Sequence, residues 1–243
     1  MERTISAGEG VLPSLIDRAI VVIPAYNEAG AIGRVVRGLR AWGAPVVVVD
    51  DGSTDETVAR AEEAGATVLS NGGNKGKGEA LIRGFKYALE QGRELILTFD
   101  GDGQHDPALL PLFLNAREIH QADIVVGRRQ MSWTDMPPMR FLTNRCMSAV
   151  VTWMGGKRIT DTQCGLRLFR DEVVRSLLFG PRRKVVSRRY AFESELLIEA
   201  CYHKFHLVEV DVPTVYNGAA SSIRPFVDTM RFFRMMMNIM WRR

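Results

Sequence analysis

The chain has 243 residues, 46% of them hydrophobic and 25% charged, with a formal net charge of +4. This is an ordinary globular composition, long enough for one sizeable α/β core. No stretch approaches the roughly 20 apolar residues of a membrane-crossing helix, and the N-terminus, with Glu2 and Glu9 among small residues, lacks a basic-then-apolar signal pattern, so a soluble, non-secreted protein is expected.

In chain order, the first half reads as alternating strands and helices. Residues 20–24 form a short strand-type run. Ile32, Val35, Val36 and Leu39 then recur at helical spacing, with Gly43 as a stop. A second strand is expected over 46–49, and Ser53 followed by Glu56 has capping-box spacing for a short helix. Residues 67–69 make a weaker strand. Leu81, Phe85, Ala88 and Leu89 mark a helix ended by Gly92, and 95–99 is another strand. Pro107 sits where a helix's first turn tolerates proline, and 124–126 is the next strand. Strands this short and apolar suit a mostly parallel sheet covered by helices on both faces. Beyond Gly127 the pattern is less regular, with helices near 139–154 and 192–203, strands near 166–170 and 207–212, and a helix from Pro225. No linker divides the chain, so one domain is expected, with a nucleotide-binding first half.

Asp50 and Asp51 directly follow one strand, Asp100 and Asp102 another, and Glu28 lies after the first. Ligands of an open parallel sheet bind outside the carboxyl ends of its strands, so these acids should gather on one edge. Carboxylates so close repel unless a cation neutralises them. Hard divalent cations such as Mg²⁺ or Mn²⁺ take oxygen ligands and are typically shared with substrate phosphates. Asp55 and Asp106 read instead as caps and turns. Cys146, Cys164 and Cys201 form no CxxC pair, which favours buried free thiols over a disulfide framework or a zinc site. His105, His120, His203 and His206 show no metal-ligand spacing. Gly73, Gly76 and Gly78 do not make a P-loop; they let Lys75 and Lys77 reach phosphates or form a flexible turn. Basic residues concentrate late, at Arg182, Arg183, Lys184, Arg188 and Arg189 and again at Arg231, Arg234, Arg242 and Arg243. Such patches suit phosphates or an anionic membrane surface.

The runs VVIPAYNE (21–28), VVVVDDGSTDET (46–57), NKGKGEALIRGF (74–85), TFDGDGQHDP (98–107), VGRR (126–129) and TDTQCGLRLFR (160–170) together resemble the family 2 glycosyltransferases. Their order and spacing resemble the dolichol- and polyprenyl-phosphate mannosyl- and glucosyltransferase branch, over roughly residues 19–230. The resemblance implies a GT-A fold, a Rossmann-like α/β sandwich that uses a nucleotide-sugar and Mg²⁺ or Mn²⁺ and inverts the anomeric centre. It divides the single domain, 1–243, into a nucleotide-sugar-binding half (19–127), an acceptor half (128–224) and a C-terminal amphipathic helix (225–243). Carried over by position, Pro24, Ala25, Tyr26, Glu28, Val49, Lys77 and Gly101 would line the nucleotide-sugar, with Asp51 reading the base. Asp100 and Asp102 form a DxD-like site, and Asp102 and Gln104 would be the direct metal ligands. Arg129, Arg140 and Asn144 match positions near the transferred phosphate. Asp161 would face the sugar, and Ser222 and Arg224 would lie in a loop closing over the diphosphate. The transmembrane helices that many members carry after the catalytic domain are not expected here.

Negative charge builds on the leaving diphosphate during such a transfer, and a metal held by Asp102 would stabilise it as a Lewis acid. A phosphate monoester acceptor, with its second pKa near ~6, is already mostly dianionic at neutral pH. No strong base is then needed, which favours Asp161 as an orienting group. The acceptor phosphate needs positive partners instead, and Arg129 and Arg140 fit as planar, bidentate ones. In 225–243 the polar residues Asp228, Arg231, Arg234, Asn238 and Arg242 fall on one narrow helical stripe, with Phe, Met and Trp around it. That pattern suits a helix lying in a membrane interface, on the cytoplasmic face, or equally a core or dimer helix. A homo-oligomer is left open, and no nucleic-acid partner is implied. The rival readings are transfer to a hydroxyl acceptor, a non-catalytic nucleotide-sugar-binding protein, and a nucleotidyltransferase. The last would place a Gly-rich, Arg-Lys-containing loop where PAYNEAG stands.

Overall fold

The computed structural model describes residues 13–129, 138–181, 184–189, 191–213, 236–237 and 239–241, and of residues 138–144 and 146 the backbone only. A short helix α1 (Pro13–Arg18) leads into β1 (Ala19–Ala25), α2 (Ile32–Arg40), β2 (Val46–Asp50), α3 (Thr57–Glu63) and β3 (Thr67–Ser70). Helix α4 (Lys77–Glu90), β4 (Leu95–Thr98), a 3-10 turn (Pro107–Leu109), α5 (Leu110–His120) and β5 (Ile124–Arg129) follow. The remainder comprises α6 (Pro138–Gly155), β6 (Arg167–Arg170), α7 (Asp171–Val174) running into a π-helical turn (Arg175–Phe179), α8 (Ala191–Tyr202) and β7 (Leu207–Val212).

Among the described residues the strands form one seven-stranded sheet in the order β3-β2-β1-β4-β6-β5-β7. Strand β6 runs antiparallel to β4 and β5, and the other pairings are parallel. The expected mostly parallel sheet with helices on both faces is therefore present. Alternate residues of each central strand enter opposite cores. Val21, Ile23, Val46, Val48, Leu95 and Leu97 pack with α2 and α5, and Ile20, Val22, Val47, Val49 and Ile96 pack with α4 and α8. Burial on both faces explains why these strands read as unbroken apolar runs. Each fully buried Val, Leu or Ile contributes roughly 1.5–3 kcal/mol of apolar transfer. Helix α4 lies so close that a Cβ on Gly84 would overlap Val22 Cγ1.

One local expectation is corrected, at Ser53, while those at Asp106, Pro107, Cys164 and Cys201 hold. Ser53 does not cap α3. Its N–H is held by Asp50 Oδ1 at 2.9 Å in a turn, and its Oγ accepts from the Asn27 N–H at 2.9 Å. The helix begins at Thr57, whose N–H donates to Asp55 Oδ1 at 3.0 Å. Asp106 caps the 3-10 turn through the Ala108 N–H at 2.9 Å, with Pro107 just inside. Helix α1, of six residues, and the α7–π segment were not anticipated, although the buried Val173, Val174, Leu177 and Leu178 of the latter do recur at helical spacing. Cys164 and Cys201 are free and buried. Residues 236–237 and 239–241 are helical; the remainder of the expected C-terminal helix, with Ser222 and Arg224 before it, lies outside the described residues. Ile239 is buried and Met236 packs against the same core, whereas Met237, Met240 and Trp241 are exposed. Among the described residues no helix is long and apolar enough to cross a membrane.

Candidate active site

The carboxyl ends of β1, β2 and β4 open onto one edge, and their loops are latched to one another. Asn27, at φ 57°, donates to Ser53 Oγ, and its Oδ1 accepts from the Thr54 N–H at 2.8 Å. Glu28 N–H donates to Thr57 Oγ1 at 2.7 Å. Pro24 is partly buried at the end of β1, and Tyr26 is exposed just beyond it. Ala25 and Val49 turn their side chains into opposite cores, so toward the edge they can present backbone only. Asp51 is buried. One of its oxygens accepts from Asn71 Nδ2 and the Lys75 N–H, both at 2.9 Å, and the other from the Gly76 N–H at 2.7 Å. Its carboxylate therefore anchors the glycine-rich loop that leads into α4. Gly52, at φ 85°, lies against that loop, and a Cβ there would sit 2.7 Å from Gly73 Cα.

The turn after β4 carries the central acids. Asp100 pairs with Lys77 Nζ at 2.7 Å, and the same ammonium lies 3.1 Å from Glu193 Oε2 at the start of α8. Burial works against the Asp100 charge, but Lys77 outweighs it and holds the carboxyl below its usual range. Asp102 Oδ1 accepts from the Gln104 N–H at 2.9 Å. Its carboxyl is pushed up by burial and by Asp100. Glu28 is pushed up to about 7 by burial, then by Asp102, Asp100 and Asp55. Gly101 packs against Ile32, Ile23 and Glu28. This rim holds more carboxylate charge than Lys77 balances, so a divalent cation fits its chemistry. Among the described residues no group of three or more His, Cys, Asp or Glu side chains could hold a metal unaided. Asp100, Asp102 and Gln104 would share it with substrate oxygens, as Mg²⁺ sites commonly do.

On the far side of the edge, β5 ends in Arg129. Its Nε lies 2.7 Å from Asp161 Oδ2 and its Nη2 3.0 Å from Oδ1, and its own backbone N–H adds a contact at 3.2 Å. Arg129 and Asp161 are both buried. Burial alone would raise the Asp161 carboxyl; the Arg129 hydrogen bonds and charge outweigh that and lower it. Strands β4 and β5 both run antiparallel to β6, so Arg129 at the end of β5 lies on the same sheet edge as the acids after β4. His105 stacks edge-on to Phe99 and is held below its usual pKa by burial. Cys164 is pushed up to about 12 by burial and then Asp161, which leaves it an inert thiol. Arg140 and Asn144 lie on α6 with only their backbone described.

The family model of "Glycosyl transferase family 2" matches residues 20–178. The chain belongs to this family. It is a glycosyltransferase. It is 30% identical to a UDP-N-acetylglucosamine--dolichyl-phosphate N-acetylglucosaminyltransferase of Methanococcus voltae, over 89% of this chain and 94% of that one. It is also 30% identical to an undecaprenyl-phosphate mannosyltransferase of Micrococcus luteus, over 84% and 86% of the two chains. The crystal structure of glucosyl-3-phosphoglycerate synthase from Mycobacterium tuberculosis with Mg²⁺ and UDP matches with a TM-score of 0.72 at 20% identity, covering 98% of this chain and 84% of that one. That likeness establishes the GT-A-like fold of this family 2 glycosyltransferase.

Two residues at the site had escaped the sequence reading. Glu193 carried no motif signal. Arg167, inside the TDTQCGLRLFR run, is fully buried. Its Nε donates to the Cys164 carbonyl at 2.9 Å, its Nη2 to the Thr162 carbonyl at 2.8 Å and its Nη1 to the Glu193 carbonyl at 3.1 Å. It thereby ties the loop bearing Asp161 to the N-terminus of α8. Strand β6 carries an arginine at each end, and nothing in the sequence singles out Arg167 as the fully buried one.

Proposed function

We propose that this glycosyltransferase moves a hexose from a UDP- or GDP-sugar to a polyprenyl phosphate, inverting the anomeric centre, with Mg²⁺ or Mn²⁺ at Asp100, Asp102 and Gln104. The observation that carries this reading is the buried Arg129–Asp161 pair: Asp161 is committed to orienting a guanidinium and is held ionised by it. A carboxylate so engaged is a poor proton acceptor for a hydroxyl, whereas an acceptor that arrives already ionised needs none. The printed activities of the M. voltae and M. luteus relatives, both on polyprenyl-type phosphates, support the same acceptor class.

In this mechanism the Arg129 side of the edge receives the acceptor phosphate and the β1–β2 loops receive the nucleoside. An acceptor phosphate oxygen attacks the anomeric carbon as the bond to the leaving diphosphate breaks, so a single displacement inverts the centre. When bound, the divalent cation supplies Lewis-acid stabilisation to the leaving diphosphate. The substrate's tail belongs in a bilayer, and the exposed Met237, Met240 and Trp241 support work at the cytoplasmic membrane surface. The deciding assay offers labelled UDP- and GDP-hexoses with undecaprenyl phosphate, dolichyl phosphate or the matching unphosphorylated polyprenol. Transfer to the phosphates alone is expected; equal transfer to the polyprenol overturns the reading.

A further inference from the structure

Lys77 occupies the position where a metal-facing acid would otherwise be bare. It sits 2.7 Å from Asp100 and 3.1 Å from Glu193. The three groups come from different elements, the N-terminus of α4, the end of β4 and the N-terminus of α8. All three are closely packed. Gly78, beside Lys77, is packed so that a Cβ would lie 2.6 Å from the Arg188 backbone and from Phe192 Cβ. Asp100 is backed by Gly165, where a Cβ would sit 2.6 Å from Oδ1 and closer still to Oδ2. The Glu193 carbonyl is held by Arg167 Nη1 at 3.1 Å. With the frame fixed, the flexible member is the lysine side chain, a compact cation on a four-carbon stem.

An ammonium and a divalent cation cannot both hold Asp100 closely without strong repulsion in a partly desolvated site. We infer that Lys77 is the site's resident cation, paired with Asp100 until a divalent metal arrives, and that Glu193 is the positioning residue that takes Lys77 over. The inference rests on the metal reading above. Glu193 lies within ion-pair distance of the same ammonium, so the handover needs only a small side-chain rotation. Lys77 then stays paired, and Asp100 becomes available to the metal. Glu193 touches neither donor nor acceptor in this scheme and acts through Lys77.

The test is Mn²⁺ binding by the full-length protein with UDP or GDP present, read against the nucleotide alone from the EPR signal of the free ion, for wild type, Lys77→Met, Glu193→Gln and the double variant. Lys77→Met should bind Mn²⁺ at least about tenfold more tightly, because the competing charge is gone. Glu193→Gln should bind several-fold more weakly, because Lys77 loses its second carboxylate. In the Lys77→Met background, Glu193→Gln should change little. A Glu193→Gln effect of the same size in both backgrounds means that Glu193 acts on the metal as a bare charge, and it overturns the handover. Thermal melts guard against misfolding. If Lys77→Met melts lower in EDTA, Mn²⁺ should raise its melting temperature more than it raises that of wild type. Weaker Mn²⁺ binding in both single variants, with a smaller thermal gain than in wild type, overturns the inference while leaving the metal reading intact. Absence of Mn²⁺ binding in all four proteins overturns both.

Discussion

Replacing Asp161 by Asn tests the structure where its electrostatics are most concentrated. The carboxylate is fully buried and accepts from Arg129 Nε, Nη2 and N–H and from the Gln163 N–H at 3.0 Å. Breaking a buried pair by removing one charge costs about 3–5 kcal/mol, because the other charge stays buried without compensation. Asn keeps the volume and one acceptor oxygen, so the lower end, about 3 kcal/mol, is expected. At roughly 2–4 °C per kcal/mol for a chain of this size, the melting temperature should fall by roughly 6–12 °C. Urea unfolding followed by circular dichroism, with the slope unchanged and the midpoint lowered, measures it. The loss also has a pH signature. Arg129 holds the folded-state pKa of Asp161 below its unfolded value. The stabilisation is therefore complete above the unfolded value, about 3.9, and is lost as pH falls through the lower folded value. Wild type and Asp161→Asn should converge in stability below pH ~4. Turnover should fall without vanishing, since no proton acceptor is removed. A double variant, Arg129→Met with Asp161→Leu, should regain stability as an apolar pair but stay inactive on polyprenyl phosphate. A stability loss under about 0.5 kcal/mol in Asp161→Asn, or wild-type turnover in the double variant, would refute the clamp.

Gly165→Ala should displace the Asp100 carboxylate, which the new Cβ meets and which Lys77 holds in place, so a lowered melting temperature should accompany a large rise in donor KM. Chelation with EDTA should abolish activity and Mg²⁺ or Mn²⁺ should restore it, while Asp102→Ala should remove metal-dependent donor binding by calorimetry; full turnover in chelator would sink the metal assignment. At the C-terminus, Ile239→Ala should destabilise by about 2–5 kcal/mol as a core truncation, whereas exposed Trp241→Ser should leave the melting temperature unchanged and weaken binding to anionic vesicles. Vesicle binding by the intact protein should also weaken with salt, because exposed charges are screened within about 8 Å at physiological ionic strength. Unchanged vesicle binding in Trp241→Ser would remove that residue from the membrane reading.

Much of the fold was legible because it rests on local rules. Residues 46–49 are apolar throughout, and 95–99 at every position but Thr98, because both faces of their strands are buried, and α2 shows its buried stripe at Ile32, Val35, Val36 and Leu39. Acids directly after β2 and β4 could be placed on one edge, since parallel strands deliver their carboxyl ends to the same side. Local spacing misled at Ser53, where the hydroxyl is claimed by Asn27 from another loop. The polar partners of Asp51 were equally hidden, for they come from the Asn71 side chain and the backbone of the loop beyond β3.

The sequence by itself thus determined the α/β layering, the edge on which the chemistry gathers and, through an ordered set of motifs, the glycosyltransferase family. Only the tertiary structure decided how the charges are distributed among partners. Lys77 lies between Asp100 and Glu193, Arg167 ties the Asp161 loop to α8, and Asp161 is bound by Arg129. Hydrophobic periodicity is repeated along the chain and can be read from it. A buried ion pair is a single meeting of residues distant in sequence, fixed by distances of a few ångströms and by the loss of water around them, and neither is written in the order of the residues.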